Sequence, residues 1–246
     1  MNFGFKAILT TGQAPLYAQI RGHLLQRIAL GLWKPGDLLP SETALADEFA
    51  VSQGTVRKAL DGLVANNLVV RHQGKGTFVA THTPQRELFH FFHLVDQNFT
   101  RQMPETSRLI SCQLRRGERH ELHNLKLGSN AHVVVIRRVR RLYGKPVIME
   151  RIVVPSKLFP GLSENDNVPN ELYHFFEKTY GVTIHKAIEN IYATSANQET
   201  SLYLGLKQGA PVLGITRIAE SLDGAPVEYR LSLCNTCAHT YMNEIV

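Results

Sequence analysis

A chain of 246 residues, 43% hydrophobic and 20% charged, is long enough for one large domain or two compact ones, and its composition excludes a disordered, collagen-like or disulfide-built protein. No apolar run approaches the ~20 residues of a membrane-spanning helix, Met1–Thr11 lacks the apolar stretch of a secretory signal, and Cys112, Cys234 and Cys237 form no disulfide framework, so a reducing cytoplasm and no membrane partner are expected. The 27 Lys+Arg exceed the 21 Asp+Glu by +6, which hints at a polyanionic partner but leaves the decision to where the charges stand.

Leu16, Ile20, Leu24, Leu25, Ile28 and Leu32 recur at threes and fours, the pattern of an amphipathic helix that opens after Pro15 and is stopped by Gly31 and Pro35-Gly36. Ser41 is a good N-cap for a short helix that buries Leu45 and Phe49. After Ala50-Val51, Ser52 caps a third helix with Val56, Leu60, Leu63 and Val64 on its inner stripe, ending near Asn66-Asn67. Two short helices joined so tightly form a helix-turn-helix. The period then falls to two: Leu68–Arg71 and Gly76–Val79 read as paired strands around His72-Gln73-Gly74-Lys75, a hairpin that serves as a wing.

A polar stretch with Pro84 marks a linker at residues 81–86, between a domain of residues 1–80 and one of residues 87–246. Beyond it, Val133–Leu142 and Val147–Val154 are expected strands around Tyr143–Pro146, and Asn170–Tyr180 is an expected helix. Val212–Leu222 and Val227–Leu233 form a second hairpin around Asp223-Gly224. The fold class is α+β with an antiparallel sheet. Each hairpin has a Gly-x-Pro turn and a glutamate, Glu150 or Glu228, which points to two related halves of one sheet.

Four ordered blocks stand between Pro15 and Val79: Pro15-Leu16-Tyr17; Gly31 with Pro35-Gly36-Asp37 and Leu39-Pro40-Ser41-Glu42; Val51-Ser52 with Thr55-Val56-Arg57 and Ala59-Leu60; and Gln73–Val79. Together they resemble the winged helix of GntR-type bacterial transcription regulators. The remainder is similar to the ligand-sensing (UTRA) domain of the HutC subfamily. That likeness is carried by Arg138-x-Arg140, Gly144-x-Pro146, Glu150-Arg151, Leu158–Gly161, Leu172-Tyr173, Tyr180-Gly181 and Pro226–Tyr229. The resemblance implies a chorismate-lyase-like fold for that domain, a homodimer, double-stranded operator DNA as one partner and a small-molecule effector as the other.

A recognition helix presents its N-terminal residues to base edges in the major groove. The expected DNA-binding set is Ser41, Thr43, Ser52, Gln53, Gly54, Thr55, Arg57, Lys58, Gly74, Lys75 and Gly76. Gln53 suits adenine, Thr55 a thymine methyl or a phosphate, Arg57 and Lys58 are phosphate clamps, and Lys75 sits on a thin wing tip that can approach the minor groove. Relatives often carry Arg, Thr and Arg at positions 53, 54 and 43, so a guanine-centred operator does not transfer to this chain.

Arg138 and Arg140 share one face of an alternating strand, with Arg137 and Arg141 on the other. The resemblance implies that Arg138 and Arg140 hold the acidic group of the effector while Glu150, Glu171, Tyr173 and Glu228 surround its polar remainder. Glu171 stands where phosphosugar-sensing relatives have Ser, and Cys234-Asn235 where they have Tyr-Arg. An effector with a carboxylate and an amine or several hydroxyls therefore fits better than a phosphosugar.

No cofactor, metal or catalytic residue is expected. Cys234-x-x-Cys237 lacks the following His of a haem site and a second ligand pair for zinc. His90 and His93 would share a helical face without a third ligand, and their phenylalanine neighbours read as packing. Gly74-Lys75-Gly76-Thr77 lacks the first glycine of a phosphate-binding loop, and no Gly-x-Ser-x-Gly elbow occurs. An enzyme of the chorismate-lyase type with an appended DNA-binding head is the alternative; no readable nucleophile and base support it.

Overall fold

The computed structural model describes residues 14–81, 92–100 and 104–243. Its chain forms two compact units, Met1–Thr81 and His82–Val246. Past Thr81 the expected linker lies outside the described residues, as do His90 and Phe91.

The first unit contains α1 (Leu16–Ala29), α2 (Glu42–Phe49), α3 (Gln53–Ala65), β1 (Val69–His72) and β2 (Gly76–Val79). Ile20, Leu24 and Ile28 of α1 are buried, as are Leu45 and Phe49 of α2 and Val56, Leu60 and Leu63 of α3. α1 stops at Ala29 rather than running to Leu32, because Gly31 turns left-handed (φ 71°) and Leu32 is left exposed. Ser41 Oγ accepts from the Ala44 amide at 3.1 Å and Ser52 Oγ from the Thr55 amide at 3.2 Å, so both caps satisfy otherwise open donors. In the wing, Val69 pairs with Val79 and His72 with Gly76. Gly76 has φ 115°, and a Cβ there would lie 2.7 Å from Leu38 Cδ1, so both backbone and space require glycine.

The second unit is built on six antiparallel strands. These are β4 (Thr106–Arg116), β5 (His132–Leu142), β6 (Lys145–Pro155), β7 (Ile184–Ser195), β8 (Pro211–Ser221) and β9 (Pro226–Cys234), ordered β4-β5-β6-β9-β8-β7. Each half repeats strand, helix, strand, strand, with α4 (Arg119–Asn124) following β4 and α6 (Gln198–Leu204) following β7. The halves join where β6 pairs with β9, Glu150 opposite Ser232. Between the halves runs α5 (Leu172–Tyr180). It begins two residues later than the sequence pattern predicts, with Glu171 at the N-cap position. A short ribbon of β3 (Leu94–Val95) and β10 (Thr240–Tyr241) completes the unit.

Side-chain alternation sorts the sheet into two faces. On one, Val134, Ile136, Ile152 and Val154 pack with Leu172, Tyr173 and Phe176 of α5 and with Phe159 and Leu162. On the other, Val133, Val135 and Val153 meet Leu122 and Leu125, while Val139 and Met149 meet Leu204 of α6. Phe92 and His93 precede β3 in non-helical backbone. Phe92 does pack, against Leu142 and Ile148.

Phe176 is fully buried, with Phe159 at 4.4 Å between ring centroids. Phe176→Ala should cost the second unit about 3–5 kcal/mol, read as a lower urea midpoint in the unfolding transition of that unit.

Candidate functional site

The head presents α3 with its polar residues tied to α2 and the wing. Gln53 Nε2 donates to Thr43 Oγ1 at 3.0 Å, and the Ser52 and Thr55 hydroxyls lie 2.9 Å apart. Arg57 donates to Glu42 through Nε at 2.9 Å, which raises its already high pKa, while its side chain stays largely exposed. Arg71 of the wing strand reaches the same carboxylate at 3.3 Å and Asp61 at 2.5 Å. Lys58 Nζ lies 4.2 Å from the Tyr17 ring centroid, a cation–π contact that fixes it beside α1. Glu42 and Arg71, neither of them in the expected DNA-binding set, thus organise this surface. The Gly74 and Gly76 turn, with positive φ at both, carries Lys75 exposed at the wing tip.

The second unit holds a strip of buried charge. On β5 it lies between Ile136 and Leu142, on β6 between Ile148 and Ile152, and on β8 between Ile215 and Ala219, so each strand supplies apolar, charged and again apolar residues to one face. Glu150 sits at its centre. Glu150 Oε2 accepts from Arg138 Nε at 2.5 Å and Oε1 from Arg230 Nη1 at 3.1 Å, with Arg140 Nη1 4.0 Å away. Glu228 is closed by Arg230 (2.9 and 2.8 Å) and by the Tyr173 hydroxyl at 2.9 Å. Arg217 Nη1 donates to the same hydroxyl at 3.2 Å and its Nε to Glu189 at 2.7 Å, and Tyr241 donates to the other Glu189 oxygen at 2.5 Å.

Burial alone would push the Glu150 carboxyl up, but Arg138, Arg230 and Arg140 hold it well below the ordinary carboxylate range. Burial likewise opposes ionisation of Glu189, and Arg217 with Tyr241 overcomes it. Tyr173 moves the other way, raised first by burial and then by Glu228. One atom stays open: Arg138 Nη2, on a fully buried residue, has no hydrogen-bond partner among the described residues.

Two family models match the chain: bacterial regulatory proteins of the gntR family over residues 16–79, and the UTRA domain over residues 100–240. The chain belongs to the GntR family. Its nearly full-length relatives include the mannosyl-D-glycerate transport/metabolism system repressor MngR of Escherichia coli, 31% identical over 92% of this chain and 93% of that one. The transcriptional repressor NagR of Bacillus subtilis is 30% identical over 93% of this chain and 94% of its own. Among solved structures, the ligand-binding domain of a GntR-family regulator from Bordetella bronchiseptica superposes with a TM-score of 0.58 at 26% identity, covering 64% of this chain and 98% of that one. This GntR-family chain is a DNA-binding transcription regulator of the HutC, UTRA-bearing architecture.

The GntR-family chain brings Arg138, Arg140, Glu150, Tyr173 and Glu228 together. Glu171 is set apart and reaches the group through Asn170, whose side chain donates to Glu171 at 3.1 Å and accepts from Arg140 at 3.2 Å. Asn170, Glu189, Arg217, Arg230 and Tyr241 were not foreseen. For Arg230 a signal existed: it stands two residues from Glu228, on the same face of one strand. Arg137 and Arg141 lie off the strip, Arg137 paired with Glu199 and Arg141 with the Gly144 carbonyl.

The cysteines do not lie along one strand, because β9 ends at Cys234. That thiol is buried and raised in pKa by its surroundings, while Cys237 is exposed in the loop beyond. His120 lies near Glu118 and Glu121, but the buried Glu121 carboxylate already accepts from Arg115, Arg151 and the Glu118 amide. Those cations anchor α4 to the sheet.

Three arginines hold the folded Glu150 carboxyl below the unfolded value of about 4.3, so its contribution to stability is complete at neutral pH and is lost as the pH falls below about 4 toward the folded value. Glu150→Gln should cost about 3–5 kcal/mol at pH 7, because it leaves buried guanidiniums uncompensated, and should flatten the acid limb of stability measured by urea unfolding at a series of pH values.

Proposed function

We propose that this regulator is a cytoplasmic repressor that binds a pseudo-palindromic operator as a homodimer and leaves it when the UTRA domain takes up a small monoanionic organic acid rich in hydroxyl groups. The observation that carries the effector reading is Arg138: a buried guanidinium whose Nη2 group, with its two N–H donors, has no partner among the described residues. Around it Arg138, Arg140, Arg217 and Arg230 face Glu150, Glu189 and Glu228, an excess of one positive charge among the described residues of the strip. A carboxylate supplies one acceptor and one compensating charge. Buried charge left unbalanced is costly, so a ligand that balances it gains affinity. The name of the relative MngR refers to a sugar joined to a hydroxy acid, an anion of this class.

Catalysis is a poorer reading of the same residues. A general acid or base needs a pKa near the working pH, whereas the arginines hold Glu150 and Glu189 ionised and burial keeps Tyr173 protonated.

DNA affinity rests on Arg57, Lys75 and the N-terminus of α3. Effector release requires that the ligand bind the DNA-free arrangement more tightly than the DNA-bound one.

Two measurements test the reading. Arg57→Ala should weaken full-length protein on its own promoter DNA across all sequences and reduce the slope of log K against log salt by about 1; an unchanged slope would remove Arg57 from the interface. In thermal-shift assays mannosyl-D-glycerate should raise Tm and its neutral glycerol counterpart should not, with Arg140→Gln abolishing the shift. Tighter stabilisation by a sugar phosphate would overturn the monoanion reading.

A further inference from the structure

Of the first six residues of α3 most are committed or blank at the surface. Gly54 has no side chain, the Thr55 hydroxyl faces Ser52, Arg57 is held by Glu42, and Lys58 lies over Tyr17. Gln53, exposed at the first helical position, is different: its carboxamide carries a donor and an acceptor on one planar edge. That amide does not rotate freely. One Nε2–H is given to Thr43 Oγ1 at 3.0 Å across the turn between the two helices, which restrains the amide plane of this exposed residue and leaves one N–H and Oε1 uncommitted to that bond.

Resting on the DNA-binding reading of the head, we infer that Thr43 is a positioning residue that makes Gln53 an adenine reader. Adenine offers an acceptor at N7 and a donor at N6 on its major-groove edge, the complement of an N–H beside a carbonyl. Guanine offers acceptors at both N7 and O6, so the second acceptor opposes Oε1. Cytosine and thymine satisfy only one of the two groups each. Without Thr43 the amide can flip and swing, and ordering it on binding costs side-chain entropy that the buttressed form has already lost. The hydroxyl therefore acts on base choice through Gln53, without itself touching a base.

The test uses the full-length protein and a library of randomised duplexes, sequenced after rounds of selection. The wild type should enrich a two-fold symmetric motif with one adenine per half-site that Gln53→Ala loses while the other positions persist. Thr43→Val, which keeps the shape and removes the hydroxyl, should reduce preference for that adenine about tenfold, with unchanged helical circular dichroism. Thr43→Ser should restore it. A Thr43→Val motif identical to that of the wild type overturns the inference, as does a Gln53→Ala motif that keeps the adenine. A wild-type protein that enriches no motif overturns the operator reading itself.

Discussion

The carboxylate of Glu150 is the constraint around which the second unit is organised. Removing an ionised glutamate from water costs several kcal/mol unless cations and hydrogen-bond donors replace the solvent. Here the replacement comes from both halves of the sheet: Arg138 from the neighbouring strand on one side and Arg230 from the strand across the central seam. Arg230 in turn is held by Glu228, and Glu228 by Tyr173 of the covering helix. Each residue is tolerable in the interior only because the next one is present. The apolar clusters on either side hold the strands in register, and the charges between them fix which residues face each other. The same arrangement leaves the Nη2 group of a buried guanidinium without a partner among the described residues, at a place shielded from bulk water, where electrostatic attraction is stronger than at the surface.

Much of the first unit was legible because its signals are local. Ser41 and Ser52 mark helix starts by a bond to an amide three residues on, Gly31 marks a stop, and the step from a period of four to a period of two marks the wing. The second unit was legible only where strands form hairpins. β4 and β7, at the two edges of the sheet, were missed since neither shows an unbroken alternation: β4 mixes exposed and half-buried positions, and much of β7 is exposed. The short helices α4 and α6 depend on capping by Glu118 and Asn197 and on tertiary contact more than on a periodic stripe. Arg138, Arg140, Glu150, Tyr173 and Glu228 were found through family likeness. Arg217 and Glu189 were not, because their significance arises from strands β7 and β8 lying side by side, Glu189 opposite Arg217.

A similar economy governs the head. Glu42 stands in the first turn of α2, favourable for an acid at a helix N-terminus, and from there it collects Arg57 of α3 and Arg71 of β1. One carboxylate thus gathers two cations from separate elements onto the surface that carries Gln53. These pairs are exposed and add little to stability. Their effect is on orientation, holding two long flexible side chains at one place on that surface.

The seam between β6 and β9 also sets an order of events during synthesis. Glu150 meets Ser232, a partner more than eighty residues further along, whereas every strand and helix of the head is complete by Val79. Long-range pairings of this kind are slow to close and must wait for the last strand to be made. The head can therefore be folded while the chain behind it is still being translated, and the buried arginines have no carboxylates from β9 until the ribosome has passed Glu228. A message cut short anywhere between these points would yield a reader of DNA without its sensor.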